Sequence, residues 1–360
     1  MPLGGSQSAA CYLARALASQ GHEIIFLTHT STPGPHAGVA CLSWARTPLS
    51  ALPALKLDVF ICVLGAGNGR LLREVMGPGV RLILWTQHRC DQWAVQSLAQ
   101  AAERESYDAF AFVSEWQRTE FIAQFALPPH GTHILRNAVA PAFLELFTDD
   151  QPILPQKLTP PLLAYTSTPF RGLDLLVEAF PAIRMRVPGT QLRVFSSMCV
   201  YQAAPADDQR QYGALYELCR RTPGVEYIGS ISQPELAREM RGVAALAYPN
   251  TFPETSCIAA LEAMASGCGI VTSALGALPE TTAGFAQLVS VAQSREGYLR
   301  EFIERMVAVL HESIDGGRAA EEPRRQAVEY IRNTATWGAR AAQWSELLER
   351  LSHPPPASGR

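Results

Sequence analysis

A chain of 360 residues is longer than one hydrophobic core ordinarily fills, since single cores stop growing near ~250–300 residues, so two domains are predicted. Hydrophobic residues make up 48% and charged residues 18%, a globular balance that excludes the disordered and fibrous classes. The formal net charge of −3 excludes a general electrostatic grip on nucleic acid, and no apolar run reaches the ~18–20 residues of a membrane-spanning helix. The opening MPLGGSQSAA lacks a basic start followed by an apolar signal core, so a cytoplasmic location is expected, with peripheral membrane contact left open. Eight cysteines stand singly, with no Cys-x-x-Cys pair, and are expected as buried small hydrophobes in a reducing compartment.

In chain order, a turn at Gly4 and Gly5 opens a helical pattern over QSAACYLARALASQ. No strand stands ahead of that turn, so either the chain begins late or the first sheet lacks a strand. EIIFLT, VFICVL, RLILWT, AFAFVS and HILRN then read as strands, with helical spacing between most of them. This alternation predicts an α/β domain with a parallel sheet over residues 1–147, its ligands bound at the carboxyl ends of the strands. FTDDQPILPQKLTP breaks the pattern and predicts a linker at 148–160. The alternation restarts through LLAYTS, LRVFSS, VEYIGS, VAALAYP and GIVTS, which predicts a second domain over 161–331 facing the first across a cleft. A final helix is expected at 332–352 and a loose tail at 353–360.

Two stretches invite a chemical reading. GAGNGR, Gly65 to Arg70, looks like a dinucleotide fingerprint, but Arg70 stands where the helix-packing glycine belongs. The next strand, RLILWT, also ends without a ribose-binding acid, so a plain strand-to-helix turn is expected. The second stretch, YPNTFPETSCIAALEAMASGCGIVTS from Tyr248 to Ser273, holds only two charged residues, Glu254 and Glu262. Thr255 and Ser256 suit the start of a helix running through CIAALEAMAS to a cap at Gly267. The unpaired amides and dipole at such a start suit a phosphate, and Cys257 and Ile258 would lie at the tip. A carboxylate accepts two hydrogen bonds side by side, which matches a vicinal diol, so one acid could hold a ribose and the other a sugar. An ordinary amphipathic helix with two solvated acids fits the same residues. His130 and His133 have a ligand-like gap but no completing acid or cysteine, and they predict a surface turn.

Together these residues resemble the E-x7-E motif of retaining GT-B glycosyltransferases, specifically glycosyltransferase family 4. The motif reads ETSCIAALEAMASG here, followed by GIVTS and by the loop ALGALPE with Gly276 and Glu280. GGSQSAACYLARALASQGHEIIFLT resembles the family's opening Gly-Gly loop, helix and second strand. WTQH resembles the segment that brings a histidine, His88, to the cleft. VSEWQRTEF and ILRNAVAPAF resemble the stretches that close the first domain, at Ser114 and Asn137. PFRGLDLLVEAF resembles the segment whose lysine binds the diphosphate. Arg171 stands at that position, in a chain whose thirty basic residues include only two lysines, Lys56 and Lys157. Guanidinium can bridge two phosphate oxygens where lysine offers a point charge. The family's arginine just upstream is replaced by Thr166, Ser167 and Thr168, and its Asn-Gly by Asn137-Ala138.

The resemblance implies a GT-B fold of two Rossmann-like domains with a C-terminal helix crossing back to the first. It implies transfer of a sugar, with retention, from a UDP-, GDP- or ADP-linked donor to a glycan, lipid or small-molecule acceptor. His88, Arg171 and Glu254 are then the catalytic candidates. Donor binding falls to Gly4, Gly5, Thr166, Ser167, Thr168, Arg171, Glu254, Thr255, Ser256, Cys257, Ile258 and Glu262. No Asp-x-Asp occurs in the sequence, so neither metal nor cofactor is expected. The rivals are a GT-B epimerase or phosphorylase, and a degenerate GT-B protein that binds sugars or serves as a scaffold.

Overall fold

The computed structural model describes residues 2–352, so the tail expected at 353–360 lies outside the described residues. The chain divides into two compact units. One holds Ser6–Asn137 and the helix from Trp337 onward, and the other holds Ala138–Thr336 with the residues ahead of Ser6.

In the first unit, β1 (Ile24–Thr28), β2 (Gly34–His36) and β3 (Val39–Ser43) form a small sheet in the order β1-β3-β2. A separate four-stranded parallel sheet takes β4 (Val59–Val63), β5 (Arg81–Trp85), β6 (Ala109–Phe112) and β7 (Thr132–Ile134) in sequential order. The sequence predicts a single sheet here, and the topology explains the split. In doubly wound order the first strand lies between the second and the fourth, and among the described residues no strand precedes the helix Gly5–Ser19. β1 and β4 are consequently paired on one side only, and every residue of both is half-buried although both are apolar runs. The β2–β3 hairpin was not anticipated because its first strand is three residues long and contains Pro35.

The core of this unit lies around β5 and β6, with Phe112, Phe121, Phe125, Leu98 and Leu72 packed together. The C-terminal helix Trp337–Ser352 belongs to the same unit: Trp344 packs edge-on to Trp85 at 5.3 Å and Trp337 stacks on Tyr12 at 6.1 Å. Its start corrects the expected 332–352 helix. A separate helix, Arg318–Thr334, ends where Ala335 leaves helical geometry and its carbonyl accepts the Val139 amide at 3.1 Å.

The second unit is built on a six-stranded parallel sheet. β8 (Leu162–Tyr165), β9 (Gln191–Val194), β10 (Val225–Tyr227), β11 (Ala245–Tyr248), β12 (Gly269–Ser273) and β13 (Gln287–Val289) lie in the order β10-β9-β8-β11-β12-β13. LLAY and ALAY are fully buried, as expected of central parallel strands covered on both faces. The parallel register brings the loops after β8, β11 and β12 to one edge. The segment expected as a linker at 148–160 is packed into this unit. Glu321 accepts the amides of Ile153 and Leu154 at 2.7 and 2.9 Å, and Lys157 Nζ donates to the Ser266 and Arg241 carbonyls at 2.5 and 3.1 Å. Burial pushes the Lys157 ammonium down to about 8. No helix among the described residues is long and apolar enough to cross a membrane.

Candidate functional site

In the first unit, the turn that imitates a dinucleotide fingerprint is closed by the protein's own carboxylate. Glu103 Oε1 accepts from the amides of Gly67 and Gly69 at 2.7 and 2.9 Å, and Oε2 accepts from Arg70 at 3.2 Å. The Tyr107 hydroxyl adds a fourth bond at 2.8 Å. Burial acts to raise the Glu103 carboxyl, but the three amides and the phenol outweigh it and hold the carboxyl below the usual range. The start of the helix Gly69–Met76 is thus an anion site whose anion is internal.

His88 lies just past the carboxyl end of β5. Its Nδ1 is 3.0 Å from the Leu64 carbonyl, which can only accept, so Nδ1 carries the proton and Nε2 is left as the acceptor. The same carbonyl accepts the Thr86 hydroxyl at 2.6 Å, and Leu64 turns it that way in a left-handed conformation, φ 80°, unusual for leucine. Ser114 caps the helix Glu115–Phe125 by accepting the Gln117 amide at 3.0 Å, and Asn137 Nδ2 donates to Gln87 at 3.0 Å. Both brace the loop from Thr86 to His88, since Gln117 Nε2 donates to the carbonyls of Thr86 and His88 at 3.1 and 2.7 Å.

In the second unit, the loops after β8 and β11 bring together the residues singled out in the sequence. Arg171 ends the short turn Pro169–Arg171, and Gly172 follows with φ 101°; a Cβ there would stand 2.0 Å from the Pro249 carbonyl oxygen. That close approach sets Arg171 against Glu254: Nη1 donates to Oε1 at 2.6 Å, and the Tyr248 hydroxyl donates to the same oxygen at 2.5 Å. The guanidinium lies between the rings of Phe170 and Phe252, at 5.4 and 4.8 Å. Burial alone would lower the pKa of Arg171, but the Glu254 carboxylate and Tyr248 raise it instead, so the cation is permanent. Thr166 Oγ1, Thr168 Oγ1 and Arg171 Nε are buried without a partner among the described residues. Polar atoms of this kind are costly unless a ligand completes them.

Glu254 is fixed through its backbone as well. It bridges Gly276, its carbonyl accepts the Ala277 amide at 2.7 Å, and a Cβ on Gly276, φ 61°, would stand 2.5 Å from that carbonyl. This pairing keeps the chain extended through Cys257, which corrects the expected helix start: the helix runs Ile258–Ala265, with buried Thr255 and half-buried Ser256 ahead of it. Cys257 occupies the cap position, and burial followed by the neighbouring Glu254 pushes its thiol far above the ordinary value, so it is no nucleophile. Ile258 and Ala259 at the tip are half-buried, and among the described residues no carboxylate accepts from their amides. Gly5 faces this tip, its Cβ direction 3.2 Å from Ile258 Cδ1, and Gly4 donates to the Val200 carbonyl at 2.8 Å. On the second turn, Glu262 is 5% exposed. Gln233 Nε2 donates to its Oε1 at 2.9 Å, while burial pushes the carboxyl up to about 8.

Tyr248, Phe170, Phe252 and Gln233 were missed in the sequence. The two phenylalanines flank the Arg171 turn and the β11 loop, and an aromatic beside an arginine was the available signal. Nothing in the sequence marks Gln233. The Tyr201 hydroxyl lies 3.5 Å from Arg171 Nη2.

With this geometry in place, the likeness to known proteins becomes specific. Residues 161–311 match the family described as Glycosyl transferases group 1. That match falls on the second unit, the one that holds Arg171, Glu254 and Glu262. A D-inositol 3-phosphate glycosyltransferase of Corynebacterium glutamicum (strain R) is 27% identical over 185 residues, which cover 50% of this chain and 40% of that relative's own length. Among solved structures, a glycosyltransferase from Rickettsia africae ESF-5 superposes with a TM-score of 0.73 at 11% identity, covering 98% of this chain and 96% of that one. Anabaena Alr3699/HepE, solved in complex with UDP and glucose, superposes with a TM-score of 0.66 at 13% identity, with 96% of each chain covered. The fold of this chain is that of the GT-B glycosyltransferases, α/β with two Rossmann-like units.

Proposed function

We propose that this chain is a retaining glycosyltransferase that moves a sugar from a nucleotide-diphosphate sugar to a glycan, lipid or small-molecule acceptor. The observation that carries the proposal is the open tip of the Ile258 helix beside the buried Arg171–Glu254 pair, inside a group 1 glycosyl transferase domain. The barrier in such a transfer is the departure of an anionic diphosphate from a sugar that becomes cationic, so stabilising the leaving group dominates. Arg171 supplies a permanent cation with a partnerless Nε, and the hydroxyls of Thr166, Ser167 and Thr168 add neutral donors. The amides at the helix tip, next to Gly4 and Gly5, complete a phosphate cradle through Thr255, Ser256, Cys257 and Ile258.

Glu262 holds the ribose. Glu254, oriented by Arg171 and Tyr248, keeps one oxygen for the hydroxyls of the donor sugar. His88, with Nε2 as its acceptor, is assigned to sugar or acceptor hydroxyls. The chemistry needs no metal, because the charge of the leaving group is met by Arg171 and backbone dipoles. The UDP in the Anabaena structure supports a nucleotide donor by likeness alone.

Calorimetric titration of the purified chain with UDP, GDP and ADP tests the proposal. Binding of one of them, lost or weakened at least tenfold in Glu262→Ala, is expected, as removal of a buried hydrogen-bond partner predicts. No binding of any nucleotide diphosphate would leave a sugar-binding or scaffold protein on a glycosyltransferase fold.

A further inference from the structure

The geometry points to Gln233 as a specificity residue that shares the reading of the ribose diol with Glu262. The inference rests on the nucleotide-donor reading above. A ribose presents two neighbouring hydroxyl donors, and a lone carboxylate would meet them with its two oxygens. In this chain one of those oxygens is already engaged, because Gln233 Nε2 donates to Glu262 Oε1 at 2.9 Å. With Glu262 ionised the amide orientation is fixed by its neighbour, since the reverse would set the glutamine oxygen against a carboxylate oxygen. Gln233 Oε1 is then left buried with no donor among the described residues.

A buried acceptor without a donor is unfavourable, and a ligand hydroxyl relieves it. Gln233 is also held in place. It is the first residue of the helix Gln233–Arg241, whose capping box pairs the Ser232 amide with Glu235 Oε2 at 3.0 Å. When Glu262 is ionised, Gln233 Oε1 and the second Glu262 oxygen form a mixed pair of acceptors, an amide and a carboxylate, for two hydroxyls. Such a pair treats the two hydroxyls unequally, which a symmetric carboxylate grip does not.

The test uses whichever of UDP, GDP and ADP binds tightest, with its 2′-deoxy and 3′-deoxy forms, titrated by calorimetry against the full chain and Gln233→Leu. The wild-type chain is expected to reject both deoxy forms by about tenfold or more, as loss of a hydrogen bond at a buried partner predicts. Gln233→Leu is expected to bind the ribo form about tenfold more weakly. It should also lose its rejection of one deoxy form while keeping the other. Should Gln233→Leu fail to fold, Gln233→Asn, one methylene too short to span both groups, reports on the same discrimination. Rejection of both deoxy forms retained in the variant overturns the role of Gln233 while leaving the donor site standing. Absence of nucleotide binding by the wild-type chain removes the donor reading itself.

Discussion

The molecule has two strand-turn-helix tips that look alike in outline and differ in what meets their amides. At the Gly69–Met76 helix, Glu103 reaches back and takes three backbone N–H groups. At the Ile258–Ala265 helix, among the described residues, no carboxylate accepts from the Ile258 and Ala259 amides; Glu254 turns to Arg171 and Tyr248, and Glu262 to Gln233. The glycine-rich turn is thus the self-satisfied one, and the tip without a glycine signature remains available for an outside anion. A motif of amides predicts a ligand only when the chain has not supplied the anion itself.

The sharpest way to break this contrast is at Arg171. Arg171→Ala removes the only cation bonded to Glu254 among the described residues, and release of nucleotide diphosphate from the donor should slow about 10²–10³-fold, the usual cost of losing one preorganised charge donor. Arg171→Lys should recover part of the rate. Steady-state assays of the two variants at saturating donor read this directly, and a rate untouched in Arg171→Ala would detach the second tip from the chemistry.

Next in size is the stability of the first tip. Glu103→Ala leaves three amides and a buried phenol without their acceptor and should cost about 2–3 kcal/mol of stability, seen as a fall in Tm. Nucleotide affinity of the folded variant should not change. A loss of affinity there would mean that both tips serve the ligand.

The smallest effect is one of pH, and its sign differs between the two acids. Glu103 has a lowered folded pKa, so its contribution is present above the unfolded value of about 4.5 and is lost as pH falls below it. Glu262 is raised to about 8, so its contribution is present below about 4.5 and fades as pH climbs to about 8. Melting curves across about pH 2 to 9 should therefore flatten between about 4.5 and 8 in Glu262→Gln and below about 4.5 in Glu103→Gln. The same flattening in both variants would show that the two burials do not act as described.

Much of this was legible beforehand, and the exceptions have physical reasons. The central strands of the second unit, LLAY and ALAY, announce themselves as unbroken apolar runs, and the spacing from Glu254 to Glu262 marked the helix between them. The helix begins at Ile258, one residue later than expected, because hydroxyls at Thr255 and Ser256 are good caps locally, while the pairing of Glu254 with Gly276 is a contact across the fold. Segment 148–160 looked like a linker because its anchors, Glu321 and Ser266, lie over a hundred residues downstream. Arg171 was found by position, whereas its aromatic walls and Gln233 depend on loops meeting at one edge of the sheet. Periodicity along a chain carries no trace of such meetings.

The division of the first unit's strands into two sheets bears on how the protein behaves in the test tube. Among the described residues, β1 and β4 are half-buried apolar rims with one flank unengaged by a neighbouring strand. Rims of that kind invite foreign strands, and neither carries a lysine, a proline or a bulge to discourage them. Among the described residues these two rims are where an added strand would extend either sheet of the first unit.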